Sequence, residues 1–321
     1  MGNKLLTVSV AAYNGAATLA KALDSCLCGA LDALEVLVVD DGSKDNTAAL
    51  AKTYEARWPG TFRLVSKPNG GYGTTITAAL AQAQGRYFRT LDCDDWFSPG
   101  SLDEELTALQ TCDADVLCTN YQTIVNGAVE QRFDVCAGRA AGPLTSDAMT
   151  GFCMEMHALT FRTEILRRAG LTLPAHCLYT DMLYTFEGLC AAETVAYLPV
   201  QMYCYQLGNG GQSTSLRSYQ NHFEDYQKVT TLILQKAERD LPAPRRAAMT
   251  RRAAEIAQFG IYLLLHFPVN RDNWRRLKAY DAAIRQAAPG ICRGMTHRST
   301  RLLRGTGYLA YPLTARLLRD K

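Results

Sequence analysis

The chain has 321 residues, 48% apolar and 20% charged, with a net charge of +3, the make-up of an ordinary globular protein of one large domain or one domain plus an appendage. Eleven cysteines without one C-x-x-C pair exclude a zinc-finger pattern and argue for reduced thiols rather than a disulfide frame. No apolar run reaches membrane-spanning length, the nearest (FGIYLLLHFPV) stopping at Pro268, and the N-terminus turns polar too soon for a signal peptide, so a cytoplasmic protein is predicted.

LLTVSVAAY (5–13) reads as a buried strand, and NGAATLAKALDSCLCGA as a helix with Leu19, Leu23 and Leu27 on one side. LEVLVVDDGS is a second strand ended by Asp40 and Asp41. Ser43 is placed to cap the helix KDNTAALAKTYEARW. FRLVSK, the helix GYGTTITAALAQAQG and the strand RYFRTLD follow. A helix starts near Pro99, and ADVLCTNY is a fifth strand. Beyond residue 121 the pattern loosens: AVEQRFDVC is strand-like, MEMHALTFRTEILRRAG reads as strand then helix, and LYTDMLYTFEGLCAA is a helix starting near Thr180. VAYLPVQMYCYQLG is a strand or hairpin arm, and from about 217 the chain is helical. Strands apolar on both faces, alternating with helices, predict an α/β fold with a mostly parallel sheet covered on both sides.

Ligands bind such sheets at the carboxyl ends of the strands. Tyr13–Asn14, Asp40–Asp41 and the stretch DCDD (Asp92, Asp94, Asp95) all fall there. Each taken alone is a solvated turn. Together they make one site. Hard divalent cations take carboxylate oxygens together with substrate phosphates, so Mg²⁺ or Mn²⁺ suits an Asp-x-Asp-Asp cluster. The glycines of KPNGGYGTTI precede a helix and suit phosphate, although the loop is neither a P-loop nor a dinucleotide fingerprint.

VSVAAYN, EVLVVDDGSKDNT, NGGYGTTI, GRYFRTLDCDDW and YTDMLY stand in the order and at about the spacing found in family 2 glycosyltransferases. The chain resembles that family over its first two thirds. The resemblance implies a GT-A fold over 1–216, with a donor half of about 1–120 and an acceptor half of about 121–216, followed by a helical region, 217–321. It implies that Asp41, helped by Asp40, reads the nucleobase of a nucleotide-sugar, usually a UDP-sugar, beside Ala11, Ala12, Tyr13 and Asn14. The family often has Pro where Ala12 stands. Asn69, Gly70, Gly71 and Gly73 would lie beside the diphosphate. Thr75 and Thr77 occupy a region where relatives carry Arg or Asn, so no basic phosphate contact is assigned there.

By the same resemblance Asp92, Asp94 and Asp95 hold the metal, with Asp92 nearer the ribose and sugar. Asp181 is the general base that takes the proton of the acceptor hydroxyl, and direct displacement inverts the anomeric configuration. The usual acidic partner before it is Thr180 here. A loop around Gln212, Ser213 and Arg217 would close over the diphosphate, and His222 is a further candidate metal ligand. His157 reads as a core histidine near the acceptor. The Q-x-x-R-W pattern of processive synthases is absent. The implied activity is transfer of one sugar to a saccharide or lipid-linked acceptor in cell-surface polysaccharide synthesis. The rivals are a nucleotidyltransferase, whose basic glycine loop after the first strand is lacking, and a silent nucleotide-sugar-binding module.

From Arg245 to the end there are sixteen Lys and Arg against four Asp and Glu, so the rest of the chain is acidic. Nucleic-acid binding lacks an accompanying motif. A solvated tail is the plain alternative. Docking on an anionic membrane face, peripheral at the inner side of the cell membrane, is favoured.

Overall fold

The apolar runs of the first 125 residues are strands in the computed structural model, which describes residues 4–136, 138–144, 155–208, 215–238, 241, 243–295 and 297–319. The chain divides into two units, Met1–Gly210 and Gly211–Lys321. In the first, β1 (Leu6–Ala12), β2 (Leu34–Asp40), β3 (Phe62–Ser66) and β4 (Tyr87–Asp92) lie parallel in the order β3-β2-β1-β4. Every residue of β2 is buried, as a strand covered on both faces requires. Helices α1 (Leu19–Asp24), α2 (Thr47–Arg57) and α3 (Tyr72–Gln82) connect these strands.

Two local expectations change. Helix α1 ends at Asp24, and Leu27 is exposed. At its C-terminal end the Ser25 hydroxyl accepts the Phe97 N–H (3.0 Å). Ser43 does not cap α2. It accepts the Asn14 N–H at 2.9 Å, while Asp45 accepts the Thr47 N–H at 3.0 Å.

The chain continues through β5 (Trp96–Phe97), α4 (Ser101–Thr111), β6 (Val116–Val125), β7 (Ala128–Phe133), β8 (Gly142–Leu144), β9 (Leu159–Arg162), α5 (Thr163–Arg168), α6 (Thr180–Ala191) and β10 (Val195–Leu207). The sheet is ten-stranded, along β3-β2-β1-β4-β9-β6-β10-β5, with β7 on β6 and β8 on β10. Strand β9 is antiparallel to both β4 and β6, so the sheet is parallel in its first four strands and mixed beyond them. A buried cation sits at this join. Arg89 of β4 donates to Glu105 (2.8 Å) and Thr160 (2.6 Å) through Nη1, and to Thr119 (2.9 Å) and the His157 carbonyl (2.6 Å) through Nη2. Removing either charge would strand the other, the costly case for a buried pair.

The second unit is helical: α7 (Leu216–Asn221), α8 (Phe223–Ala237), α9 (Ala243–His266), α10 (Arg271–Ala287), α11 (Pro289–Arg293), α12 (Arg298–Gly305) and α13 (Tyr311–Arg319). Its core carries Phe223, Tyr226, Ile233, Leu264 and Tyr280. The hydroxyls of Tyr226 and Tyr280 donate to the Ile256 and Ala257 carbonyls of α9 (2.7 and 3.0 Å), which satisfies their polar ends inside that core. Arg304 and Tyr308 both donate to buried Asp281. No helix among the described residues is long and apolar enough to cross a membrane.

Candidate functional site

Strand register sets the site. Ala12 pairs with Asp40, Asp40 with Ser66, and Ala11 with Asp92. The parallel strands therefore end at one level, with their acidic and small residues together. The loop after β1 is stitched to the loop after β2: the Lys44 N–H donates to Asn14 Oδ1 (2.7 Å), and the Gly15 N–H donates to Thr47 Oγ1 (2.9 Å). Asn14 is held at φ 50°. Tyr13 projects beside it, 52% exposed. Asp40 is buried and accepts the Ser43 N–H at 3.1 Å.

Asp41 is fully engaged within the protein. Oδ1 accepts Lys67 Nζ and the Gly70 N–H (2.9 Å). Oδ2 accepts Asn69 Nδ2 (3.1 Å) and the Gly71 N–H (2.8 Å). A carboxylate has about four lone-pair sites, so these donors fill it. In this arrangement the carboxylate fixes the glycine loop. The missed partner, Lys67, directly follows β3. Gly71 itself has φ 84°, and a Cβ there would meet the His176 backbone at 3.2 Å, so both its conformation and its neighbours demand glycine.

In the DCDD turn, carboxylate oxygens of Asp92, Asp94 and Asp95 all lie within 4.8 Å of one another. Asp95 is buried and tied to β10: its Oδ2 accepts the Tyr203 hydroxyl (2.6 Å) and its Oδ1 accepts the Gln206 N–H (2.7 Å). The same Tyr203 oxygen accepts the Asp92 N–H at 3.1 Å, so one phenol clamps both ends of the turn. Asp92 Oδ1 is buried without a hydrogen-bond partner. Removal from water pushes the Asp92 carboxyl up to about 7, and Asp94 and Asp181 add to this while Tyr72 opposes it through a hydrogen bond. Asp95 is raised well above the usual carboxylate range by the same burial and by Asp92 and Asp94. Clustered carboxylates with an orphaned oxygen fit a hard divalent cation.

Asp181 stands in the first turn of α6. Its charge acts on both Asp92 and Tyr72, so α6 delivers it to the acidic turn. The close approach depends on Gly73 of α3, where a Cβ would lie 2.8 Å from Leu173 Cβ and 2.9 Å from Thr180 Oγ1. Tyr72, missed in the sequence, sits between the loop and the acids. Its hydroxyl donates to Met156 Sδ (3.1 Å), and its pKa is pushed well above 10, first by burial and then by Asp92 and Asp181. Its place directly after Gly71 was the available signal.

Beyond the acids lies a ladder of rings. His157 stacks on Tyr205 at 4.4 Å and faces Tyr203 and Tyr121 at 4.7 and 5.3 Å. Tyr121 in turn stacks on Phe133 at 4.5 Å. Burial, aided by Arg89, depresses the imidazole to about 3, so it is neutral. Of the other expected residues, Gln212 and Ser213 lie outside the described residues. Arg217 and His222 belong to the second unit, where both are exposed and His222 Nδ1 is 4.0 Å from Asp225.

Residues 7–151, which hold β1 to β4 and the acidic turn, match the glycosyl transferase family 2 model. Over those residues the chain is similar to glycosyl transferase family 2. An uncharacterized glycosyltransferase of Rickettsia felis is 32% identical over 128 residues, 39% of this chain but 20% of that protein. The uncharacterized glycosyltransferase YibD of Escherichia coli is 25% identical over 243 residues, 71% of this chain and 70% of YibD. The crystal structure of S. aureus TarS 1–349 in complex with UDP-GlcNAc superimposes with a TM-score of 0.77 at 20% identity, covering 98% of this chain and 92% of that one. The chain thus shares the GT-A fold of that glycosyltransferase structure.

Proposed function

We propose that the protein transfers a single sugar from a nucleotide-diphosphate sugar to a hydroxyl of a saccharide or lipid-linked acceptor, with inversion, in cell-surface polysaccharide synthesis. The observation that carries this reading is the cluster of Asp92, Asp94 and Asp95, three carboxylates within 4.8 Å of one another at the carboxyl ends of the parallel strands, with the charge of Asp181 acting on Asp92. The UDP-GlcNAc seen in TarS supports a UDP-sugar as donor. Ala11, Tyr13, Asn14 and Asp40 border the nucleoside pocket, and the Asn69–Gly73 loop, braced by Asp41 and Lys67, lies beside the diphosphate.

Asp92, Asp94 and Asp95 would hold Mg²⁺ or Mn²⁺, which when bound neutralises charge on the leaving diphosphate. Asp181 accepts the proton of the acceptor hydroxyl while that oxygen attacks the anomeric carbon and the bond to diphosphate breaks. The half-buried rings of Tyr205, His157 and Phe133 offer apolar faces for the acceptor sugar.

The test is Asp181→Asn. Transfer of labelled sugar should fall at least about a hundredfold, the scale of a lost general base, while UDP affinity stays within about twofold. Normal transfer by the variant would sink the assignment. Metal-dependent donor binding without any turnover in the wild type would favour a silent binding module, and release of pyrophosphate from a nucleoside triphosphate and a sugar 1-phosphate would favour a nucleotidyltransferase.

A further inference from the structure

The basic C-terminal helices carry a feature that the transfer reaction does not use. Helix α13 buries Tyr311, Thr314 and Ala315 at 1%, 5% and 0% exposure. Its opposite side is also apolar. Leu313 and Leu317 are 59% and 56% exposed, and Leu309, one turn before Leu313, is 81% exposed. Leu302 of α12 is 44% exposed. Exposed Leu313 and Leu317 are four apart on one side of α13, and exposed Leu309 lies in the turn that leads into it. Isolated surface leucines need no explanation, but a contiguous row with charged neighbours does.

The neighbours are all of one sign. Residues 282–319 contain arginines 285, 293, 298, 301, 304, 316 and 319 and no Asp or Glu. Asp281 holds Arg285 and Arg304. Arg298, Arg301 and Arg316 are exposed on the same two helices as the leucines.

We propose that α12 and α13 form a docking surface for an anionic lipid bilayer, with Leu309, Leu313 and Leu317 entering the acyl boundary and Arg298, Arg301 and Arg316 meeting headgroup phosphates. Charge decides between occupants. A second copy of this chain would set this arginine face against itself, with no acid in the segment to relieve it. Nucleic acid would use the arginines and leave the leucine row in water. An anionic membrane surface accepts both at once. The inference does not depend on the proposed transfer activity, because its readout is adsorption alone.

The full chain would be sedimented with vesicles of pure phosphatidylcholine and with vesicles containing about 30% phosphatidylglycerol, the anionic case. Binding is expected to the second only, and to weaken as salt is raised. Leu309→Ser/Leu313→Ser/Leu317→Ser and, separately, Arg298→Gln/Arg301→Gln/Arg316→Gln should each reduce the partition coefficient about tenfold or more. All six side chains are exposed, and an unchanged thermal melt of each variant confirms that folding is intact. Equal partition into both vesicle types, no partition into either, or full binding by either variant overturns the proposal. So does a concentration-dependent dimer, seen by light scattering, that the leucine variant abolishes.

Discussion

Asp41 shows how a single carboxylate can be legible as important while its partners are not. Its position after a buried strand marked it, but its partners come from Lys67, Asn69, Gly70 and Gly71, a loop that only folding brings near. Asp41→Asn keeps the size and turns one acceptor into a donor that faces donors. We expect a loss of about 1–3 kcal/mol for buried groups left unsatisfied, read as a lower melting temperature, together with weaker UDP binding. A melt indistinguishable from wild type would show that the loop is held by other means. His157 supplies the pH test. Its folded pKa, about 3, lies below the ordinary imidazole value, so between about pH 3 and 6.5 the unfolded chain binds more protons and stability falls as pH drops. His157→Phe removes that titration. Its acid-unfolding midpoint, followed by circular dichroism, should move to lower pH than that of the wild type, and coincident curves would refute a neutral buried imidazole.

Helices and strands act here by bringing their ends together. Helix α3 starts at the glycine loop and α6 starts at Thr180, one residue before Asp181, and Gly73 lets α3 touch Thr180 and Leu173 of the loop before α6. Gly73→Ala must push the two apart. Overpacking of this kind costs about 1–3 kcal/mol, and because α6 carries Asp181 we expect the transfer rate to drop further than donor affinity. Parallel loss of both, measured as kcat and UDP affinity, would mean that the whole loop had moved instead. The parallel strands were readable because each is a short apolar run, two of them ending in acid, at Asp40 and Asp92. Strand β9 was readable as a strand but not as the antiparallel insert between β4 and β6. Its neighbours are set by the buried Arg89 cluster and by register, which local pattern does not encode.

For the first unit taken as one body, the acidic turn predicts a coupling between metal, donor and stability. Three carboxylates brought within 4.8 Å repel one another. A cation and a nucleotide diphosphate that bind only the folded state should raise its stability by about 2.7 kcal/mol at a hundredfold excess over Kd. Thermal melts with UDP and Mn²⁺ together should shift upward, chelation by EDTA should reverse the shift, and Asp94→Asn should diminish it. A shift from UDP alone, insensitive to EDTA, would count against the metal. The motifs and the strand–helix alternation were determined by the sequence itself, because apolar period and strand-end acids are local properties. So were the resemblance to glycosyl transferase family 2 and the charge split between the two parts. The tertiary structure alone decided that Asp181 reaches Asp92 from about ninety residues away, that Tyr203 clamps Asp92 and Asp95, that Asp41 faces inward to Lys67, and that Leu309, Leu313 and Leu317 face outward. The physical reason is common to all four. A sequence says which side chains are apolar or charged, but which of them find partners depends on the register and packing of segments far apart in the chain.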